Sequence, residues 1–164
     1  MWAGFVALAI GAPSALRNSC LRLNYSDSVP VGLYESQPQP GAPFAGICLS
    51  ADTLRAALIK GLELGHGECA DGHQPILKTV YRATPESPIV LDAQGFVVAG
   101  ERIPNTMPKA LSKTGKRLTH YAFGTYVSGL WAISGYSRDS YDSRYFGPVP
   151  QENVRFYAKP LLVF

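Results

Sequence analysis

The sequence predicts a mainly β domain over residues 24–164, carrying one short helix and preceded by an apolar N-terminal helix over residues 1–23. Three observations carry this reading. The 164 residues include 16 Gly, 13 Pro and nine Tyr, a composition suited to strands joined by many turns. Several short runs alternate apolar and polar residues, while helical spacing recurs in one window only. Residues 2–16 hold no charge at all. The length suffices for one domain with a sizeable core. Hydrophobic residues make up 46% and charged residues 16%, low in charge for a cytosolic enzyme, which points to a membrane-associated or secreted context. A net charge of +3, scattered along the chain, argues against nucleic acid as a partner.

The apolar run 2–16 is shorter than the roughly 20 residues a helix needs to span a bilayer. Pro13 disturbs its end, and no basic region precedes it as in a cleaved signal peptide. A membrane anchor with its first turns upstream is expected, because Arg17 and Arg22 begin where the apolar run stops. A short apolar helix packed on the domain is the alternative. Cys20 sits at this boundary as a candidate free thiol.

Residues 24–34 read NYSDSVPVGLY. Pro30 restricts itself and the residue before it, and Gly32 permits a close backbone approach. In extended backbone Ser26 and Ser28 face the same side; the plainer reading is a Ser/Pro/Gly turn leading into a strand at 31–34. Residues 35–43, with three prolines, form a loop, and 44–49 a strand. Ser50 is placed to N-cap a helix from 51 to about 64. Leu54, Ala57, Leu58 and Leu62 give it one apolar stripe, and Gly65 fits its stop.

The run HGECADGH (66–73) admits two readings. His66, Cys69 and His73, with Cys48, offer four metal ligands, but the spacing matches no common zinc pattern. A Cys48–Cys69 disulfide in an oxidising compartment is the expected alternative. It would close a loop of about 20 residues, stabilising by roughly 3 kcal/mol.

Residues 74–83, QPILKTVYRA, alternate as a strand with Ile76, Lys78 and Val80 on one face. A lysine there is either an edge residue that reaches water or a buried amine. Burial lowers a lysine pKa. A fall of roughly 3 units from the ordinary value would leave a neutral amine able to take the proton of Ser28. That makes a Ser–Lys dyad, an alternative to Ser–His–Asp. No G-x-S-x-G elbow occurs, and two of the three histidines lie in the Cys69 loop.

Residues 89–93 and 96–99 read as a hairpin around Gln94-Gly95. Residues 103–118 form a polar, basic loop whose Lys109, Lys113 and Lys116 face solvent. Two short strands over 119–133 break at Gly124 and Gly129. In SYDSRYFGP (140–148), extended backbone would put Ser140, Asp142 and Arg144 on one side. Asp142 beside Arg144 suits a charge-assisted pair, and the Ser140 hydroxyl can engage a nearby amine. A polar turn with a surface ion pair is the plainer alternative.

In this order NYSDSVPVGLY, PILKTV and SYDSRYFGP, with a weaker CLS…GECADG pattern between the first two, resemble the signal peptidase I superfamily. Within it they are most similar to the conjugative-transfer (TraF-type) branch. The resemblance implies a signal-peptidase/LexA-like β-rich catalytic core, partly closed and barrel-like. It implies Ser28 as nucleophile, Lys78 as general base and Ser26, with the Ser28 backbone N–H, as oxyanion hole. Ser140 would orient the lysine amine, and Asp142 and Arg144 would support the site. It further implies a peptidase of the bacterial inner membrane facing the periplasm, needing no metal or organic cofactor. The substrate would be an exported precursor such as a conjugative pilin subunit, cut after small residues, with cyclisation of the product in some members. A Gly-Asp pair usual after the lysine strand is replaced by Thr84-Pro85-Glu86-Ser87. Rival readings are a general type I signal peptidase, an inactive scaffold of a conjugation apparatus and a soluble self-cleaving regulator. The last would need a DNA-binding domain, and no helix-turn-helix pattern precedes Asn24.

Overall fold

The computed structural model describes residues 21–164. The apolar run 2–16, the anchor expected from it and Cys20 lie outside the described residues. Among the described residues no helix is long and apolar enough to cross a membrane.

Among the described residues ten strands form two antiparallel sheets. The six-stranded sheet runs β1 (Leu21–Asn24), β2 (Gly32–Gln37), β10 (Val154–Val163), β3 (Phe44–Ile47), β4 (Ile76–Arg82) and β9 (Leu130–Ile133). The four-stranded sheet runs β7 (Glu101–Arg102), β6 (Gly95–Val98), β5 (Ile89–Asp92) and β8 (Gly124–Tyr126). Among the described residues pairing closes neither sheet into a ring. The sheets meet through side chains, with Trp131 of β9 fully buried among Ile89, Leu91 and Phe96 of the smaller sheet. The Phe96 and Trp131 rings meet edge to face at 5.8 Å.

Among the described residues two α-helices occur where one was expected in the 24–164 domain. α1 (Ala51–Ile59) begins at Ser50, whose hydroxyl accepts from the Thr53 amide. It ends five residues before the expected stop, at Lys60. The cause is Gly61, whose φ of +89° costs a glycine little. Leu62 N donates to Ala57 O and Gly61 N to Leu58 O, both at 3.0 Å, the paired bonds of a Schellman motif. The turn sends Leu62 and Leu64 against the core. α2 (Ser143–Phe146) falls in the box read as extended. Asp142 caps it by accepting from the Arg144 amide, a local bond that competes with strand geometry.

The sequence carries no plain signal for β10, although it lies between β2 and β3 and ties them together. Pro160 masks it, since a proline argues against an inner strand. The pairing to β2 shifts register between Pro160 and Leu162, which accommodates the missing donor. A Cβ on Gly32 would meet Leu162 O at 2.1 Å, so the glycine of the first block is needed for β10 to approach β2.

Cys48, just past β3, is bonded to Cys69. That removes both sulfurs from the alternative ligand set with His66 and His73. The bond pins the 65–75 segment to the large sheet. Replacing both cysteines by serine is expected to lower the free energy of unfolding by about 3 kcal/mol. Urea denaturation checks this, and an unchanged midpoint would contradict it.

Candidate active site

The first block is a turn between β1 and β2, as in the plainer of the two readings, and not an extended run. Asn24 organises it from the end of β1. Its Nδ2 donates to the carbonyls of Ser26, Val29 and Pro30 at 2.8, 3.2 and 3.1 Å, and its Oδ1 accepts from Ser26 N. Buried Tyr34 on β2 donates its hydroxyl to Pro30 O at 2.6 Å. The turn, rather than strand alternation, sets Ser26 beside Ser28, with Ser28 N donating to Ser26 Oγ at 3.2 Å. Ser28 is buried and Ser26 exposed.

Lys78 is the third residue of β4 and is buried, with 4% of its surface exposed. Its cross-strand partner is Ala45 on β3, a small residue. Lys78 Nζ lies 2.5 Å from Ser28 Oγ and 2.7 Å from Ser140 Oγ, and the two hydroxyls are 3.2 Å apart. Burial pushes the amine down from 10.5 to about 8, while Asp142 and Asp27 raise it and Arg144 lowers it further. At about 8, roughly a tenth of the molecules carry a neutral amine at pH 7. An amine N–H directed at Ser140 leaves the lone pair for the Ser28 proton, the geometry a general base requires.

Asp142 and Arg144 are both fully buried. Arg144 Nε donates to Asp142 Oδ1 at 2.8 Å and Nη2 to Oδ2 at 3.0 Å, a bidentate pair rather than the surface pair of the plainer reading. The guanidinium also donates to the carbonyls of Ser140 (2.9 Å) and Asn105 (2.9 Å). One arginine thus fixes the backbone of Ser140 and a loop beyond β7. The helical turn, not alternation along a strand, brings the three residues of this box together.

Two serines that sequence reasoning passed over also join the site. Ser134 donates its hydroxyl to Ser28 O at 2.6 Å, and Ser137 donates to Asp27 Oδ2 at 2.9 Å. Their only signal was a high density of serine before the last block. Lys113 is exposed as expected and Lys109 partly so, and both also line the cleft and pair with Asp139, Lys113 lying 3.8 Å from Asp27. A cleft of about 680 Å³ opens over Ser28 and Lys78, walled by Leu23 and Tyr25, by Leu62 and Leu64, and by Leu111. The Thr84–Ser87 replacement forms a tight turn past β4, closed by two backbone bonds between Thr84 and Ser87.

No protein-family model and no solved structure matches the chain. It is similar to the plasmid transfer protein TraF of Escherichia coli, 29% identical over 99% of this chain and 92% of that protein. It is 26% identical to the conjugal transfer protein TraF of Agrobacterium fabrum (strain C58), over 87% of this chain and 82% of that protein. A probable conjugal transfer protein TraF of Sinorhizobium fredii is 26% identical over 95% of this chain. These comparisons support a TraF-type family.

Proposed function

We propose that the chain is a serine endopeptidase of a conjugation system, working by a Ser28–Lys78 dyad of the signal peptidase I kind. A role in a conjugation system is supported by the names of its relatives. The observation that carries the peptidase reading is the buried Lys78 amine held between Ser28 and Ser140. A scaffold would gain nothing from a lysine whose burial opposes its own charge.

In this mechanism Ser28 Oγ attacks the scissile carbonyl as Lys78 takes its proton. Lys78 then returns a proton to the leaving amine, and water or another amine resolves the ester. The oxyanion would take the place of Ser26 Oγ as acceptor of the Ser28 N–H, with the Ser26 hydroxyl turned to donate as well. Each such donor lowers the barrier by about 3 kcal/mol. The substrate is an exported precursor, a conjugative pilin subunit or another transfer-system preprotein. The site works on the periplasmic side of the inner membrane, where the Cys48–Cys69 bond is expected to persist. No cofactor is required.

Co-expression with the pilin precursor of the same transfer system, followed by intact mass, tests the reading. Wild type is expected to process the precursor, while Ser28→Ala and Lys78→Ala leave it at full mass. A product lighter than the cleaved chain by one water would identify cyclisation. Processing by both variants at the wild-type rate would remove the dyad and favour the scaffold.

A further inference from the structure

We infer that Ser134 is a positioning residue for the nucleophile, its buried hydroxyl clamping the Ser28 carbonyl to the strand pair that carries Lys78. The inference rests on the peptidase reading above and adds what sets the Ser28–Lys78 distance.

The nucleophile lies in a turn at one edge of the large sheet, while Lys78 lies on β4, three strands beyond β2 in the sheet order. Strand pairing alone therefore does not fix one against the other. Ser134 supplies the missing link. β4 and β9 pair with Thr79 opposite Ile133, so one further step of that register brings Ser134 level with Lys78. From there its hydroxyl donates to Ser28 O at 2.6 Å.

The hydroxyl has only one use for its proton. Its oxygen accepts from Ser137 N at 3.3 Å and Tyr136 N at 3.4 Å, leaving the hydrogen for the Ser28 carbonyl. Ser134 is fully buried, Ser28 is buried too and the bond between them lies in the interior, which keeps water from competing for that carbonyl. Its own amide donates to Asp142 Oδ2 at 3.0 Å. The bidentate Asp142–Arg144 pair thus holds Ser134 from one side and, through the Ser140 carbonyl, the lysine's second partner from the other. Displacing a reacting group by about 1 Å can lower a rate 10²-fold.

The test measures processing rates of purified protein on the purified pilin precursor across pH 6–10, with thermal melting to establish the folded fraction. Ser134→Ala is expected to lower the high-pH plateau by about 10- to 100-fold while the rise in rate with pH keeps its wild-type midpoint. Ser134→Cys, a weaker donor of nearly the same shape, is expected to fall between Ser134→Ala and wild type. It carries the comparison if Ser134→Ala does not fold. A wild-type plateau in the variant would overturn the inference. A midpoint displaced toward the ordinary lysine value would also overturn it, because that signals water reaching Lys78 through a loosened core. Ser28→Ala, measured alongside, separates the two levels. Its retention of activity would overturn the peptidase reading itself, whereas an inactive Ser28→Ala beside an unaffected Ser134→Ala overturns only the clamp.

Discussion

Lys78→Met is expected to abolish processing and at the same time to stabilise the protein at pH 7. The two effects share one cause. The lysine's ordinary value is 10.5, and burial brings it down to about 8 in the folded chain. Between those values the unfolded chain holds a proton that the folded chain has released, so stability rises with pH across that window. Below about 8 the folded protein carries a buried ammonium, and its cost is fully present. The difference corresponds to roughly 3 kcal/mol. Methionine fills similar volume without the charge, and Ser28 and Ser140, 3.2 Å apart, can bond to each other. The melting temperature at pH 7 should rise by several degrees, at about 3 °C per kcal/mol for a chain of this size. The gain should shrink as the pH approaches 10.5. A variant less stable than wild type at pH 7, or a gain independent of pH, would mean that the lysine is not desolvated in solution. The same titration shapes activity in the wild type, whose rate is expected to rise with pH through about 8 as the neutral amine forms.

What the sequence made legible was the chemistry at each point, more than the geometry that joins the points. Lys78 stood out because a lysine interrupts an alternating strand, and β4 carries it with its neighbours Ile76 and Val80 as the period of two requires. The β5–β6 hairpin followed from Gln94-Gly95 and pairs Asp92 with Gly95. The short α2 is hidden because Asp142 beside Arg144 reads as an ion-pair partner, while aspartate is also a favoured helix N-cap. β10 was hidden by Pro160, since a central strand with a proline is rare and only a register shift admits it. Ser134 and Ser137 were not found because a serine has no periodicity of its own. Their roles depend on partners more than a hundred residues away, at Ser28 and Asp27. Asn24 and Tyr34 stood at the ends of the first block, yet their hold on the turn comes from bonds to carbonyls, which no side-chain pattern reveals.

Breaking the Asp142–Arg144 pair is expected to have the largest effect on stability of any single change. Arg144 is fully buried, and its donors are taken up by Asp142 and by the carbonyls of Ser140 and Asn105. Asp142→Leu leaves a guanidinium in the core without its counter-charge and strips the cap from α2. Such a loss typically costs 3–5 kcal/mol, a large part of the roughly 5–15 kcal/mol that holds a domain folded. Arg144→Met leaves the carboxylate unpaired instead, at a comparable cost. Making both changes removes both charges, so the double variant should be less destabilised than the two single losses combined. Urea unfolding of the four proteins checks this. Additive losses, or single losses under about 1 kcal/mol, would show that the pair is not buried in solution. Processing should not recover with stability in the double variant. Ser134 N would have lost its acceptor and Ser140 O its donor, so the fold would return with the nucleophile and the lysine less firmly held. A double variant that recovers both stability and rate would confine the pair to a structural role.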